Sequence, residues 1–325
     1  MGKRQRATLK DVAKEAGVNF TLVSKFLTRN PQARMTKETQ KRIEKAIKKL
    51  NYRPSSSARA LRNGMSKTIG LLSGDLTNSY RAHVANIALI ELRKLGYQML
   101  LALSEGFDDH SAVQSLLARD IDGVIYIGPG IHDWKDLPCP VIATDRNVAG
   151  KSTANVDFDG AIKEALKGIE GEVVSLCFDE SVWKDSVERV GNILGLKTEN
   201  HFLPFDVHDR LAKLHSICKK RPQAILINGW HTAEMLTELL DSEGGSYNPK
   251  VVMHANCTGP FIGHKRISGA IYSSGTDMVK RTCSALVEII EGKLSEPAEI
   301  KIPSRYIPSD SPEFSNLICR HFKLT

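Results

Sequence analysis

The sequence predicts a two-part protein: a small all-α head of helix-turn-helix type, followed by a much larger α/β domain built on parallel sheets. Three observations predict it. Residues 8 to 64 carry three short apolar stripes at helical spacing, closed by a basic segment that contains a proline. From Thr68 onward short continuous apolar runs alternate with helical segments, the pattern of parallel strands covered on both faces. The charge divides at the same place: residues 1 to 67 hold 18 Lys and Arg against four acidic residues, net +14, and the remaining 258 residues sum to −6. A polyanion would therefore bind the head.

Taken in order, Thr8 with Asp11 three residues later reads as an N-cap with an acidic first turn, and Leu9, Val12, Ala13 and Ala16 form one apolar face. Gly17 ends that helix. Asn19 caps a second, with Val23, Phe26 and Leu27 inward and Val18 beneath the turn. Two helices joined by a short Gly-containing turn make a helix-turn-helix. The third pattern runs from Thr36 to Leu50, with Ile43, Ala46, Ile47 and Leu50 apolar, Lys37, Lys41, Lys45 and Lys48 on wet faces, and Asn51 as terminator. Pro54 then favours a helix start, and Ser55 to Arg62 is a conditional helix with too little apolar surface to stand alone, ended by Asn63-Gly64.

In the large domain, strands are expected at TIGLLS (68), YQMLLAL (97), GVIYI (123), PVIAT (140), VVSLC (173), AILIN (224), KVVMH (250) and SGAIY (268). Eight units are too many for one small sheet. The stretch from Asp145 to Ser152 reads as a crossing between two lobes.

Composition narrows the function classes. The basic N-terminus has no apolar run behind it, which argues against a secretory signal, and no stretch reaches the roughly 18 apolar residues a membrane span needs. A cytoplasmic protein is expected. Six scattered cysteines form no Cys-x-x-Cys pair, so buried reduced thiols are expected rather than a zinc or redox site. Phosphate loops of Walker type and Gly-x-Ser-x-Gly elbows are absent, and Gly128-Pro-Gly130 reads as a turn. His201, His208 and His215 are spaced by seven, but Pro204 interrupts any shared helix. No catalytic residue, metal or cofactor is expected, and Asp108-Asp109 reads as a helix cap.

The stretch TLKDVAKEAGVNFTLVSKFL, then TQKRIEKAIKKLNYRP, ARALRNG and KTIGLL resembles the lactose repressor and galactose repressor family of bacterial transcription regulators. Over about 65 residues the match holds in type, order and spacing. It continues more weakly through DLTNSY at 75, DGVIYI at 122, PVIATDRN at 140 and the segment from Ile267 to Gly292. The resemblance implies a DNA-binding head at 1–54, a hinge helix and linker at 55–66, and a two-lobed effector-binding and dimerisation domain at 67–325, built like a periplasmic sugar-binding protein.

In a helix-turn-helix the first residues of the second helix meet base edges in the major groove. Here these are Asn19, Phe20 and Thr21, with Ser24 and Lys25 one turn on. Lys25 suits guanine acceptors, and Thr21 suits a thymine methyl or a hydrogen bond. Thr8, Asn30 and Arg34 are expected on phosphates, which fix register without reading sequence. By resemblance, Leu61 is the hinge leucine that wedges into the minor groove and bends the duplex, with Ala58, Arg59 and Arg62 beside it. Paired hinges require a homodimer and so a pseudo-palindromic operator.

The resemblance also places a small-molecule effector, in many relatives a sugar, between the lobes, on Asn78, Tyr80, Asp145, Asp185, Arg189 and Asn228. Trp230 and His231 are further lining candidates. The sequence departs from the sugar-binding pattern at Gly229 and at Ala255 and Asn256, where acidic residues are usual, and at Gly275, where an aromatic often stacks. A pocket that binds something else, or nothing, is therefore the competing expectation. A solute-binding protein would share the core but has no use for the basic head.

Overall fold

In a computed structural model, residues 7–27, 34–52, 64–74, 76, 78–104, 109–128, 137–177, 181–204, 206–242, 244, 247–255, 263–315 and 317 are described. The chain resolves into two compact units, Met1–Ser66 and Lys67–Thr325. The expected hinge segment and its residues Ala58, Arg59, Leu61 and Arg62 lie outside the described residues, as do Asn30, Asp108 and Pro129-Gly130.

The first unit contains α1 (Leu9–Ala16), α2 (Phe20–Leu27) and α3 (Lys37–Lys49). Each begins as its sequence dictates. Thr8 and Asp11 close a reciprocal capping box, with the Thr8 hydroxyl donating to Asp11 Oδ2 at 2.8 Å and the Thr8 amide at 2.7 Å. Asn19 Oδ1 accepts from the Thr21 amide at 2.8 Å, and Thr36 Oγ1 accepts from the Thr39 amide at 3.2 Å. Gly17 ends α1 at φ 62°, the left-handed conformation that glycine adopts without a Cβ penalty. Val12, Val23 and Ile43 are fully buried, with Ala13, Ala16 and Ala46 filling the space between helices. This core is small, so each side chain carries a large share of the unit's stability.

The second unit holds β1 (Thr68–Ser73), α4 (Ser79–Lys94), β2 (Gln98–Leu103), α5 (His110–Leu117), β3 (Gly123–Ile127), β4 (Val141–Thr144), β5 (Ser152–Asp157) and α6 (Asp159–Ala165). It continues with β6 (Val173–Cys177), α7 (Val182–Leu194), β7 (Thr198–Phe202), α8 (Val207–Lys219), β8 (Ala224–Ile227), α9 (Trp230–Ser242) and β9 (Lys250–Ala255). β10 (Ile267–Ser273), α10 (Gly275–Ile290) and β11 (Glu299–Pro308) complete it. The strand order is β2-β1-β3-β4-β5-β11-β10-β9-β8-β6-β7, parallel throughout except between β10 and β11. β11 joins two lobes: its first half pairs in parallel with β5 (Glu299 to Thr153) and its second half antiparallel with β10 (Pro308 to Gly269). Every residue of β3, β4, β6 and β8 is buried, as strands covered on both faces must be.

All eight apolar runs are strands. β5, β7 and β11 were not expected. Their sequences, STANVD, TENHF and EIKIPSRYIP, are polar or interrupted by proline, and pairing rather than hydrophobicity makes them strands. The reading of Asp145–Ser152 as a lobe crossing is incorrect. That segment joins β4 to β5, which pair in the same lobe (Ile142 to Ser152). The chain changes lobe after Asp157, again between β10 and α10, which packs on α4 and β3, and within β11.

Candidate nucleic-acid interface and effector cleft

The start of α2 presents a surface with no role in the head's own core. Asn19, Phe20, Thr21 and Lys25 are exposed, Phe20 to 53%, while Val23 on the opposite face is fully buried and Ser24 is half-buried. An exposed phenylalanine at the first helical position is poorly explained by packing alone. Asn19 spends its oxygen on the cap and keeps its amide hydrogens for a partner. Arg34 is exposed just ahead of α3. Thr8 is differently placed: its hydroxyl proton is committed to Asp11, whose carboxyl is held below its usual range by the Thr8 backbone amide and hydroxyl.

In the core, the carboxyl ends of the parallel strands of both lobes face each other. The Val182 amide at the start of α7 donates to the Asp145 carbonyl at the end of β4, 3.3 Å across the divide. Asp145 adopts a left-handed φ of 59°, strained for a non-glycine residue and of the kind that gathers at ligand sites. Tyr80, in the first turn of α4, donates its hydroxyl to Asp145 Oδ2 at 2.6 Å and reaches Met278 Sδ at 3.9 Å. Asn78 serves as the α4 cap, accepting from the amides of Tyr80 at 3.0 Å and Arg81 at 3.3 Å.

Arg189 and Asn228 are engaged elsewhere. Arg189 closes its guanidinium on Asp159 with two bonds of 2.7 Å, and a third of 3.1 Å reaches Ser186. That pair holds the Asp159 carboxyl below, and the Arg189 guanidinium above, their ordinary ranges. Asp185 is exposed in the first turn of α7, one turn before Arg189. Asn228 Oδ1 lies 3.1 Å from His254 Nδ1. Tyr80 and Asp145 are thus brought together, whereas Arg189 and Asn228 are each held by a neighbour in the protein.

His254 was not among the expected site residues. It is buried on β9, with Nε2 3.0 Å from Ser273 Oγ. Trp183 stacks on it at 5.4 Å and 18°, and Phe158 meets it edge-on at 4.7 Å. Burial pushes the imidazole down to about 3, so the ring is neutral. The available signal was the position of His254 at the end of the expected strand KVVMH, where open α/β sheets build their sites. His231 is exposed on α9. His201 lies on β7 while His208 and His215 lie on α8, and no metal-holding cluster occurs among the described residues. Asp109 occupies the N-cap position of α5 but makes no side-chain capping bond.

A helix-turn-helix head with an exposed recognition face, followed by a two-lobed α/β core, defines a DNA-binding protein with a ligand-domain architecture. The profile for "Bacterial regulatory proteins, lacI family" matches residues 8–55. The chain is 31% identical over 244 residues to catabolite control protein A of Staphylococcus xylosus, covering 67% of this chain and 72% of that one. It is 33% identical over 154 residues to the ribose operon repressor of Lactococcus lactis, which spans 47% of this chain and 46% of that protein. The chain therefore matches about half the length of several of its curated relatives. Among solved structures it resembles the Lac repressor dimer bound to operator and the anti-inducer ONPF, with a TM-score of 0.76, 16% identity and coverage of 93% and 98% of the two chains. It also resembles the transcriptional regulator CelR in its cellobiose complex, with a TM-score of 0.61, 17% identity and the same coverage. The chain belongs to the lacI family of bacterial regulatory proteins, which are DNA-binding transcription regulators. No helix among the described residues is long and apolar enough to cross a membrane.

Proposed function

We propose that this protein is a cytoplasmic, non-enzymatic repressor that binds a pseudo-palindromic operator as a homodimer and releases or grips it according to a small molecule held between the core lobes. The exposed row Asn19, Phe20, Thr21 and Lys25 above a buried Val23 carries this reading, because a half-exposed aromatic beside hydrogen-bonding groups suits a major groove. Similarity to sucrose and ribose operon repressors supports repression and a sugar or sugar derivative as effector. Under this reading the chain divides into 1–54, 55–66 and 67–325, and Ala58, Arg59, Leu61 and Arg62 carry the bending step. Effector and operator affinities are coupled reciprocally, so whatever the effector does to operator binding the operator does to effector binding.

The test is an anisotropy titration against a symmetric operator library. Lys25→Ala relaxes preference at one base position at a cost of about 1–3 kcal/mol, whereas Arg34→Ala weakens all sequences alike and flattens the salt slope. Leu61→Ala lowers affinity for the best operator and reduces its bending. Binding without sequence preference in the unaltered protein sinks the proposal.

The homodimer has its own support at the two ends of the sheet. Edge strands β2 and β7 expose Leu101, Leu103 and Phe202, flanked by Leu89 and Ile90 on α4 and by Val207 and Leu211 on α8. Unpaired edges bearing large apolar groups are a liability that burial against a second copy removes. The double variant Leu103→Asp with Phe202→Asp should raise the dimer dissociation constant at least about tenfold in sedimentation equilibrium, a change of roughly 1.4 kcal/mol. A dimer that withstands both charges excludes these edges.

The engagement of Asn228 by His254 and of Arg189 by Asp159 favours a second reading, a regulator indifferent to ligand. Under it, operator affinity stays constant across all small molecules.

A further inference from the structure

The third helix of the head carries charge that neither the head's interior nor its reading face uses. On α3, Ile43 and Ala46 are buried in the core that Val12 and Val23 share, with Ile47 and Leu50 packed beside them. An α-helix turns by about 100° per residue, so Lys41 and Lys45, two residues either side of Ile43, lie on the opposite face. Lys37 and Lys48 extend that face by one turn each way, and all four lysines are exposed. The row is about 16 Å long at a rise of about 1.5 Å per residue.

Within the head this row has nothing to neutralise it. Among the described residues none of the four lysines is joined to a carboxylate. Glu38 and Glu44 stand on its two flanks, and Lys49, off the row, reaches across to Glu15 of α1 at 2.7 Å. Like charges three and four residues apart on a helix repel each other. In a unit with so small a core that repulsion weighs against folding, and a polyanion laid along the row turns it into attraction.

The row and the reader also face different ways. Val12 of α1, Val23 of α2 and Ile43 of α3 meet in one interior, so the outward faces of the three helices diverge. Phe20, Thr21 and Lys25 look outward from α2, and Lys41, Lys45 and Lys48 look outward from α3. A duplex that receives α2 in its major groove cannot also lie along the length of the α3 row.

We propose that Lys41, Lys45 and Lys48, with Lys37 at the end of their row, hold the sugar-phosphate backbone of a second DNA duplex, so that the protein bridges two duplex segments. The proposal rests on the DNA-reading function of the head: α2 reads one segment, and α3 grips the other without regard to sequence. Lysine suits this task, since its ammonium group is a point charge on a flexible stem that contacts phosphate and fixes no base. A row about 16 Å long faces about ten phosphate charges of a duplex. Duplex DNA is favoured over other polyanions because a head docked on its operator has neighbouring DNA at high effective concentration.

The test loads the full chain onto immobilised operator, the best member of the symmetric library, and then adds a fluorescent duplex without operator sequence at low salt. The unaltered protein should capture the labelled duplex. The combined variant Lys41→Gln, Lys45→Gln and Lys48→Gln should capture about tenfold less, because three phosphate contacts are lost per head. Glutamine keeps the helix propensity of lysine, and operator affinity within threefold of the unaltered protein shows that the variant head is folded. Arginine at the same three positions should preserve capture. The proposal is overturned if operator-loaded protein captures no second duplex, if the glutamine variant captures as much as the unaltered protein, or if single-stranded RNA displaces the labelled duplex more readily than unlabelled duplex does. A protein that prefers no operator removes the reading role of α2 alone. The row is then judged by direct titration of the non-operator duplex, in which the glutamine variant should lower the salt slope by about 2.7, and an unchanged slope overturns the proposal.

Discussion

Ile43→Ala abolishes sequence-specific operator binding while leaving the thermal transition of the core in place. Ile43 is fully buried where α3 meets α1 and α2, and with Val12 and Val23 it makes most of the head's interior. Removing its outer carbons costs about 2–5 kcal/mol. A unit this small holds only a few kcal/mol in total, at roughly 0.05–0.15 kcal/mol per residue, so the substitution unfolds it. The core has its own interior, led by Leu176, Ile225 and Val251, and does not depend on Ile43. Circular dichroism would show a loss of helix with the main melting transition unmoved, and anisotropy would show only salt-sensitive, non-specific binding. Operator affinity within threefold of the unaltered protein would disprove the assignment of Ile43.

Acidification selectively destabilises the core through His254. Its folded value is pushed down to about 3 by burial, against 6.5 in the unfolded chain. The unfolded state therefore binds the proton first. The contribution of the neutral ring is complete above about pH 6.5 and is lost as pH falls towards the folded value, at about 1.4 kcal/mol per pH unit. By pH 5 that loss reaches about 2 kcal/mol. His83 and His201 are lowered as well, each chiefly by burial, and add to the slope. Urea denaturation between pH 7 and pH 5 isolates the His254 share when compared with His254→Gln, which has no proton to gain. Equal slopes in the two proteins would refute it.

These predictions draw on different layers of information. The head was legible at the level of single residues. Thr8, Gly17, Asn19 and Thr36 cap or end helices where local chemistry says they must, and Val12, Val23 and Ile43 are buried where helical spacing places them. The apolar strands were equally legible, since a strand covered on both faces has few sequences available to it. β5, β7 and β11 were not, because a polar or proline-bearing strand owes its state to the neighbour it pairs with. The same limit explains the misplaced lobe crossing, which depended on the β4–β5 pairing.

The cleft shows the division most clearly. Resemblance supplied Asn78, Tyr80, Asp145, Asp185, Arg189 and Asn228 as site residues, and sequence showed where carboxylates were missing. Only tertiary structure decided that Tyr80 meets Asp145, that Arg189 turns to Asp159, and that His254, packed between Trp183 and Phe158, meets Asn228. By itself, then, the sequence determined the kind of protein, its basic head, and the capped helices and apolar strands of its fold, because these follow from local spacing and composition. The hydrogen-bonding character of the cleft was settled by contacts between residues as far apart as Tyr80 and Asp145 or Asn228 and His254, and such pairings arise only once the sheet has brought the strand ends together.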